Sequence, residues 1–205
     1  MLINRRSLVT SAAVGAALAL SRCKSRRAAP ASLWPIPEWS LTDQDSAPFG
    51  SAQLRGKVYV ANFIFTRCPS SCPRLTRKMA ALAARLRSSG DRVRFVSISV
   101  DPEYDTPAKL KEFGDRYHAD WSRWRFVTGP FDRVLRAIDQ GFRVSSGMSS
   151  PGSTASNEFD PYALAHSNHF ALVDGRSNMR GAYSVEEDSG VERLALDVEA
   201  LLTEG

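Results

Sequence analysis

The sequence predicts an α/β domain with a central mixed sheet flanked by helices. Three observations carry that expectation. Lys57 to Phe65 (KVYVANFIF) and Val93 to Val100 (VRFVSISV) are nearly continuous runs of β-branched and aromatic residues, the pattern of strands buried on both faces. Between them Leu75, Met79, Leu82 and Leu86 recur at steps of four, three and four, which is one helical stripe. Near the end, two further apolar runs are joined by Gly175-Arg176-Ser177, a hairpin signature followed by an amphipathic helix.

Taken in order, residues 28–37 (AAPASLWPIP) are small and proline-rich and read as a linker. Trp39 to Asp43 alternates like a strand. The first buried strand and the Leu75–Leu86 helix follow, then the second strand. Thr106-Pro107 opens another helix, with Leu110, Phe113 and Tyr117 on one side. Arg125-Phe126-Val127 is a short strand, and Phe131 to Ile138 is helical. Residues 145–160 (SSGMSSPGSTASNEFD) form a loop of sixteen small and polar residues, a length often associated with function. Phe170–Asp174 and Met179–Tyr183 are the hairpin strands, and Val191–Leu202 is the closing helix. Strand–helix–strand–helix, then a hairpin and a last helix, is the order of a thioredoxin-like sheet with an inserted loop. The expected domain spans 38–205.

Residues 1–27 read as a signal peptide or membrane anchor. Arg5 and Arg6 give a basic start, Ser7 to Ser21 carries no charge, and Ala17-Leu18-Ala19 has the form of a signal-peptidase site. Asn4-Arg5-Arg6-Ser7-Leu8 resembles a twin-arginine export signal, and Leu20-Ser21-Arg22-Cys23 resembles a lipoprotein box in which Cys23 carries the lipid. The expectation is an exported protein on the periplasmic side, attached to the inner membrane through this N-terminal segment. The leader also explains the charge. It holds six basic residues (Arg5, Arg6, Arg22, Lys24, Arg26, Arg27) and no acid. Removing them from the 27 leaves 21 basic against 22 acidic residues, so the domain carries about −1. Nothing in that balance supports a nucleic-acid partner.

Three cysteines are present, and only Cys68 and Cys72 lie beyond the leader. A structural disulfide between them would close a tiny loop and stabilise little. They sit in Thr66-Arg67-Cys68-Pro69-Ser70-Ser71-Cys72-Pro73, between a buried strand and a helix, where parallel α/β sheets place their chemistry. Pro73 lacks an N–H and suits the first helical turn. A helix N-terminus favours thiolate over thiol, so both sulfurs are expected to be acidified. Such a pair can oxidise to a disulfide or clasp a soft metal.

Of the three histidines, His118 reads as a residue at a helix end. His166 and His169 precede or open the first hairpin strand, and His166 falls at the mouth of the cysteine loop. Two thiolates with one imidazole suit copper, while zinc would normally want a fourth ligand. Asp101 and Asp105 follow the second strand. Asp105 reads as a turn former beside the Thr106 helix cap, and Asp101 as either structural or a charge tuning the site. Phe63, Phe65, Trp121, Trp124 and Phe126 read as core. Thr66, two residues before Cys68, does not match the threonine of a peroxidase, which lies three before.

From about Trp39 to Leu202 the chain resembles the Sco/SenC family of thioredoxin-fold copper proteins that serve cytochrome c oxidase assembly. The matching segments are Leu54-Arg55-Gly56-Lys57-Val58, Phe65 to Pro73, Ser97-Ile98-Ser99-Val100-Asp101-Pro102-Glu103-Tyr104-Asp105-Thr106-Pro107, and Ala165-His166-Ser167. The resemblance implies that Cys68, Cys72 and His166 are ligands of a copper ion, Cu(I) or Cu(II). It implies a metallochaperone whose partner is the copper-bearing subunit of the oxidase, with its binuclear copper site, alongside other copper chaperones or thiol reductants. Ala165 stands where the family often has Asp. Two alternatives use the same thiols. One is a thiol-disulfide oxidoreductase, with Cys68 and Cys72 as catalytic redox pair, that reduces the acceptor's cysteines. The other is a copper or redox sensor acting through the 145–160 loop.

Overall fold

The computed structural model describes residues 27–143 and 168–204. Among these, eight strands form one mixed sheet. They are β1 (Trp34–Pro35), β2 (Ser40–Asp43), β3 (Pro48–Gly50), β4 (Val58–Ile64), β5 (Val93–Ser99), β6 (Trp124–Thr128), β7 (His169–Val173) and β8 (Asn178–Ser184). The helices are α1 (Ser51–Leu54), α2 (Ser71–Arg85), α3 (Pro107–Arg116), α4 (Phe131–Arg136) and α5 (Asp188–Leu201).

The strand order is β1-β8-β7-β4-β5-β6-β2-β3. β4 runs parallel to β5, and β5 to β6; every other pairing is antiparallel. The two parallel crossovers are α2 and α3. Right-handed crossovers advancing in one direction place both helices on one face. Arg77 of α2 accordingly lies over the Tyr117 ring just past α3, and α5 also touches α2. On the opposite face Phe142, at the end of a π-helical extension of α4, meets Phe63 edge-on.

The seven residues of β4 are all buried, which is why this strand has no polar alternation. The stripe of Leu75, Met79, Leu82 and Leu86 is buried in the same core. The thioredoxin-like mixed α/β sheet expected from the sequence is therefore present. Phe63, Phe65, Trp124 and Phe126 are core as expected, while Trp121 is partly buried against Phe126. The motif Leu54-Arg55-Gly56-Lys57 has a backbone explanation. Gly56 adopts φ 74, a region open to glycine, and its N–H reaches Gly175 O at 2.9 Å, joining the entrance of β4 to the β7–β8 turn.

The proline-rich stretch read as a linker differs from that expectation. Trp34–Pro35 pairs with β8, Leu33 N–H donates to Met179 O, and Ile36 N–H donates to Ser177 O. Trp34 Nε1 donates to Gly141 O, Arg180 Nε donates to Pro30 O, and Arg27 pairs with Asp197 at 2.6 Å. Residues 27–36 thus run along the sheet edge. Prolines are tolerated there because an edge strand needs partners on one side only. Ile36 is buried in this contact. Ile36→Ala is expected to lower stability by roughly 2–4 kcal/mol, the cost of an unfilled aliphatic site, read as a drop in the urea midpoint at unchanged m-value.

Candidate metal and thiol centre

The cysteine loop is what joins the C-terminal end of β4 to α2. Val100 N–H donates to Ile64 O, extending the β4–β5 pairing to the point where the chain leaves the sheet. A turn then forms, with Cys68 N–H donating to Phe65 O at 3.2 Å. Cys72 falls in the first turn of α2, followed by Pro73, whose missing N–H is not needed there.

Both cysteines are free thiols and both are buried. Cys68 Sγ accepts from the Cys72 N–H at 3.4 Å and lies 3.3 Å from Ser71 Oγ. Cys72 Sγ sits deeper and accepts from the Phe65 N–H at 3.5 Å. The two environments push the thiols apart. Burial raises Cys68, but the Cys72 N–H, the Ser71 hydroxyl and the Ser70 N–H outweigh it, and the thiol falls to about 7. Burial dominates at Cys72 and, with the neighbouring Cys68 charge, raises it to about 12. The expectation that the helix end would acidify both sulfurs therefore holds for Cys68 alone. Donors at a helix N-terminus act on the sulfur they point to, and Cys72 lies within the first turn with its sulfur turned into the core.

Asp105 is structural, as the sequence suggests, but through a long-range contact rather than a local turn. It is fully buried, and its carboxylate accepts from Thr66 Oγ1 at 2.5 Å, Thr66 N–H at 3.1 Å and Ser99 Oγ at 2.6 Å. It ties the cysteine loop to the end of β5, across 39 residues of chain. Thr106 does cap α3, accepting from Lys109 N–H at 3.4 Å. Burial raises the Asp105 carboxyl despite these donors, and the Asp101 charge adds to the effect. Asp101 itself is buried and pairs with Arg67 Nε at 2.6 Å, next to Cys68 in sequence. Thr66 is thus no peroxidase residue but the hydroxyl through which Asp105 holds the loop.

Of the histidines, His118 is exposed at the end of α3, with φ 55, in the left-handed position where helices commonly stop. His169 opens β7 opposite Ser184, half-buried. His166 and the 145–160 loop lie outside the described residues. The chain just after His166 is placed: Arg74 of α2 donates to Asn168 Oδ1 at 3.0 Å, so the approach to β7 lies beside the start of the cysteine-bearing helix. Among the described residues no three metal-binding side chains cluster, and no helix is long and apolar enough to cross a membrane.

Comparison with known proteins bears on this arrangement directly. The SCO1/SenC family model matches residues 33–203. The chain belongs to that family. The SCO1 protein homolog of Bacillus subtilis is 36% identical over 96 residues, which is 47% of this chain and 50% of that protein, so the match spans about half of the relative's length. Among solved structures, BsSco, described as carrying a disulfide switch and as a member of the Sco family of cytochrome c oxidase assembly proteins, superposes with a TM-score of 0.68. It is 26% identical, and the match covers 86% of this chain and 98% of that one. Yeast Sco1 with copper bound gives a TM-score of 0.64 at 25% identity, covering 83% of this chain and 96% of that one. The Sco/SenC resemblance and the fold expected from the sequence are thereby shown. The family model's match begins at Leu33, inside the docked edge segment rather than after it.

Proposed function

We propose that this chain is a metallochaperone that binds copper through Cys68, Cys72 and His166 and passes it to the copper-bearing subunit of cytochrome c oxidase. The observation that carries the reading is the pairing of two buried sulfurs at the start of α2, the Cys72 N–H on Cys68 Sγ at 3.4 Å, beside a chain segment that leads from His166. Two thiolates and one imidazole form a soft donor set that suits copper better than magnesium or calcium. Copper-bound yeast Sco1 and the oxidase-assembly role of BsSco support the same reading.

Within this chain, Cys68 supplies a sulfur already half ionised near neutrality, and Cys72 must lose its proton as the metal enters. Transfer then proceeds by exchange of sulfur ligands between this site and the acceptor. Export to the periplasmic side and attachment to the inner membrane through the N-terminal segment, as a retained anchor or through a lipid on Cys23, belong to the same proposal. Copper would then be handled on the face where an exported acceptor domain is reachable.

Copper bound per protein is the test, measured on the reduced full-length chain and on His166→Ala and Cys72→Ser. One equivalent in the unaltered protein is expected, with a fall of at least tenfold in affinity in either variant. Stoichiometric copper in neither the parent nor the variants overturns the proposal.

A second reading has its own observation. One thiol near 7 beside another near 12 is the division of labour of a nucleophilic and a resolving cysteine. This makes a thiol-disulfide oxidoreductase that reduces the acceptor's cysteines the alternative. It requires Cys68 and Cys72 but not His166. Oxidase assembly that survives His166→Ala and fails with either cysteine variant selects it.

A further inference from the structure

One side of the cysteine loop has a charge pattern that the copper site does not require. α2 carries Arg74, Arg77, Lys78 and Arg85 and not one acidic residue. Its exposed stripe begins at the thiol end with Arg74 and Arg77. Lys78 turns the other way and pairs with Asp188 of α5, while Arg74, Arg77, Lys109 and Arg116 form no ion pair among the described residues.

These cations are instead held by neutral groups. Arg74 rests on Asn168, Arg77 lies 5.8 Å from the Tyr117 ring centre, and Arg116 lies 5.4 Å from that of Phe113. Lys109 Nζ lies 3.3 Å from the centre of the Tyr104 ring, whose other contact is the Arg67 guanidinium at 5.0 Å. Tyr104 is nonetheless 40% exposed, one of few large aromatics so placed. Glu103 and Glu112 are exposed acids on the same side, and Asp115 is bound to Trp121 Nε1. Of the acids nearer α5, Glu186 accepts from Asn168 Nδ2 at 3.1 Å, on the side of that amide away from Arg74, and Glu187 accepts from Ser189 Oγ at 3.3 Å.

Cations pinned on aromatic faces keep their charge while losing mobility in advance of binding. The positive end of α2 adds to the same field. Exposed tyrosine and arginine side by side are also the residue types enriched where proteins dock.

We infer that the α2–α3 side of the cysteine loop, formed by Arg74, Arg77, Lys109 and Tyr104, is a docking surface for an acidic protein surface that offers its own sulfur to Cys68. This rests on the proposed transfer function only in naming the class of partner. A field of this sign accelerates the approach of an anionic partner, by tenfold or more at low ionic strength, and orients it before contact. The effect fades as salt shortens the screening length.

Two octapeptides serve as probes, each with one central cysteine activated as the 2-thiopyridyl disulfide, one with four glutamates and the other with four lysines. Cys68 thiolate attacks the peptide sulfur and forms the mixed disulfide. Pyridine-2-thiolate departs, takes up a proton and is followed by its absorbance. The reduced full-length protein is expected to react at least tenfold faster with the acidic peptide at 10 mM salt, with the ratio falling below about threefold at 0.5 M. The double variant Arg77→Glu/Lys109→Glu should bring the low-salt ratio to about one or below, and Arg85→Glu, at the far end of α2, should leave it unchanged. Neutral 2,2′-dithiodipyridine reports the thiol itself and should react at similar rates in all three proteins. A ratio of one or less in the unaltered chain overturns the inference, as does a ratio untouched by the double variant. Copper measured in the same preparations separates this outcome from that of the metal-binding proposal, because the peptide ratio requires no metal.

Discussion

At pH 7 iodoacetamide is expected to alkylate Cys68 and leave Cys72 untouched, with the Cys68 rate rising through a single titration centred near 7. Thiolate, not thiol, is the nucleophile. With the two thiols near 7 and 12, about half of Cys68 is ionised at pH 7 while Cys72 stays protonated. Both sulfurs are buried, so ionisation rather than access separates them. Peptide mapping after brief alkylation reads the selectivity, and loss of free thiol across pH 5–9 reads the midpoint. Ser71→Ala removes the hydroxyl 3.3 Å from Cys68 Sγ and should move the midpoint upward. Equal labelling of both cysteines, or a midpoint at the ordinary thiol value, contradicts the assigned environments.

The same shifts set a pH dependence of stability, and their signs differ. Cys68 is depressed in the folded state, so its stabilising contribution is complete above the unfolded thiol value of about 9. That contribution is lost as pH falls through about 7. Cys72 is raised, so its contribution is complete below the unfolded value and is lost as pH rises toward 12. Urea midpoints of the reduced protein are expected to decline above pH 9, and Cys72→Ala should weaken that decline.

Asp105→Ala is expected to destabilise the reduced protein by about 2–4 kcal/mol, since it strips the acceptor from the Thr66 N–H, the Thr66 hydroxyl and the buried Ser99 hydroxyl at once. Asp105→Asn keeps a carbonyl oxygen in place and should cost less than half as much. A further difference follows from charge. Burial raises the Asp105 carboxyl, so the native fold favours its protonated form more than the unfolded chain does. That contribution is present below the unfolded value and is lost as pH rises through the folded one. The asparagine variant has no such group. Its urea midpoint should therefore fall less than that of the parent as pH rises above the ordinary carboxylate range, once the other carboxylates, common to both proteins, are subtracted. Because Asp105 holds Thr66, two residues before Cys68, the alanine variant should also slow copper uptake. If Asp105→Ala were as stable as the parent, the carboxylate would be dispensable to the loop.

These two experiments divide along what a linear chain can display. The β4 and β5 runs, the α2 stripe and the hairpin before α5 were all legible, because uninterrupted β-branched residues and a period near 3.6 leave little conformational choice. The cysteine pair was legible for the same reason: Pro73 and the stripe behind it mark a helix start, and a strand end precedes it. Residues 28–37 read as a linker because small residues and prolines look alike in a spacer and in an edge strand. Only the unfilled edge of β8 and the pocket for Ile36 tell them apart. The structural role of Asp105 was legible, but its partner was not, because a place beside a helix cap is visible in sequence whereas a contact 39 residues away is not.

What the sequence by itself determined is therefore the chemistry on offer: an α/β sheet, two soft sulfur donors at a helix start, and a histidine before β7 as third candidate ligand. What the tertiary structure decided is how that chemistry is poised. Spacing alone makes Cys68 and Cys72 equivalent. Folding aims three hydrogen-bond donors at one sulfur and surrounds the other with the core, so that one is ready to ionise near neutral pH and the other is not. The reason is physical and general: desolvation and hydrogen bonding act on a sulfur through the groups packed around it, and those groups come from β4, the loop and α2 together.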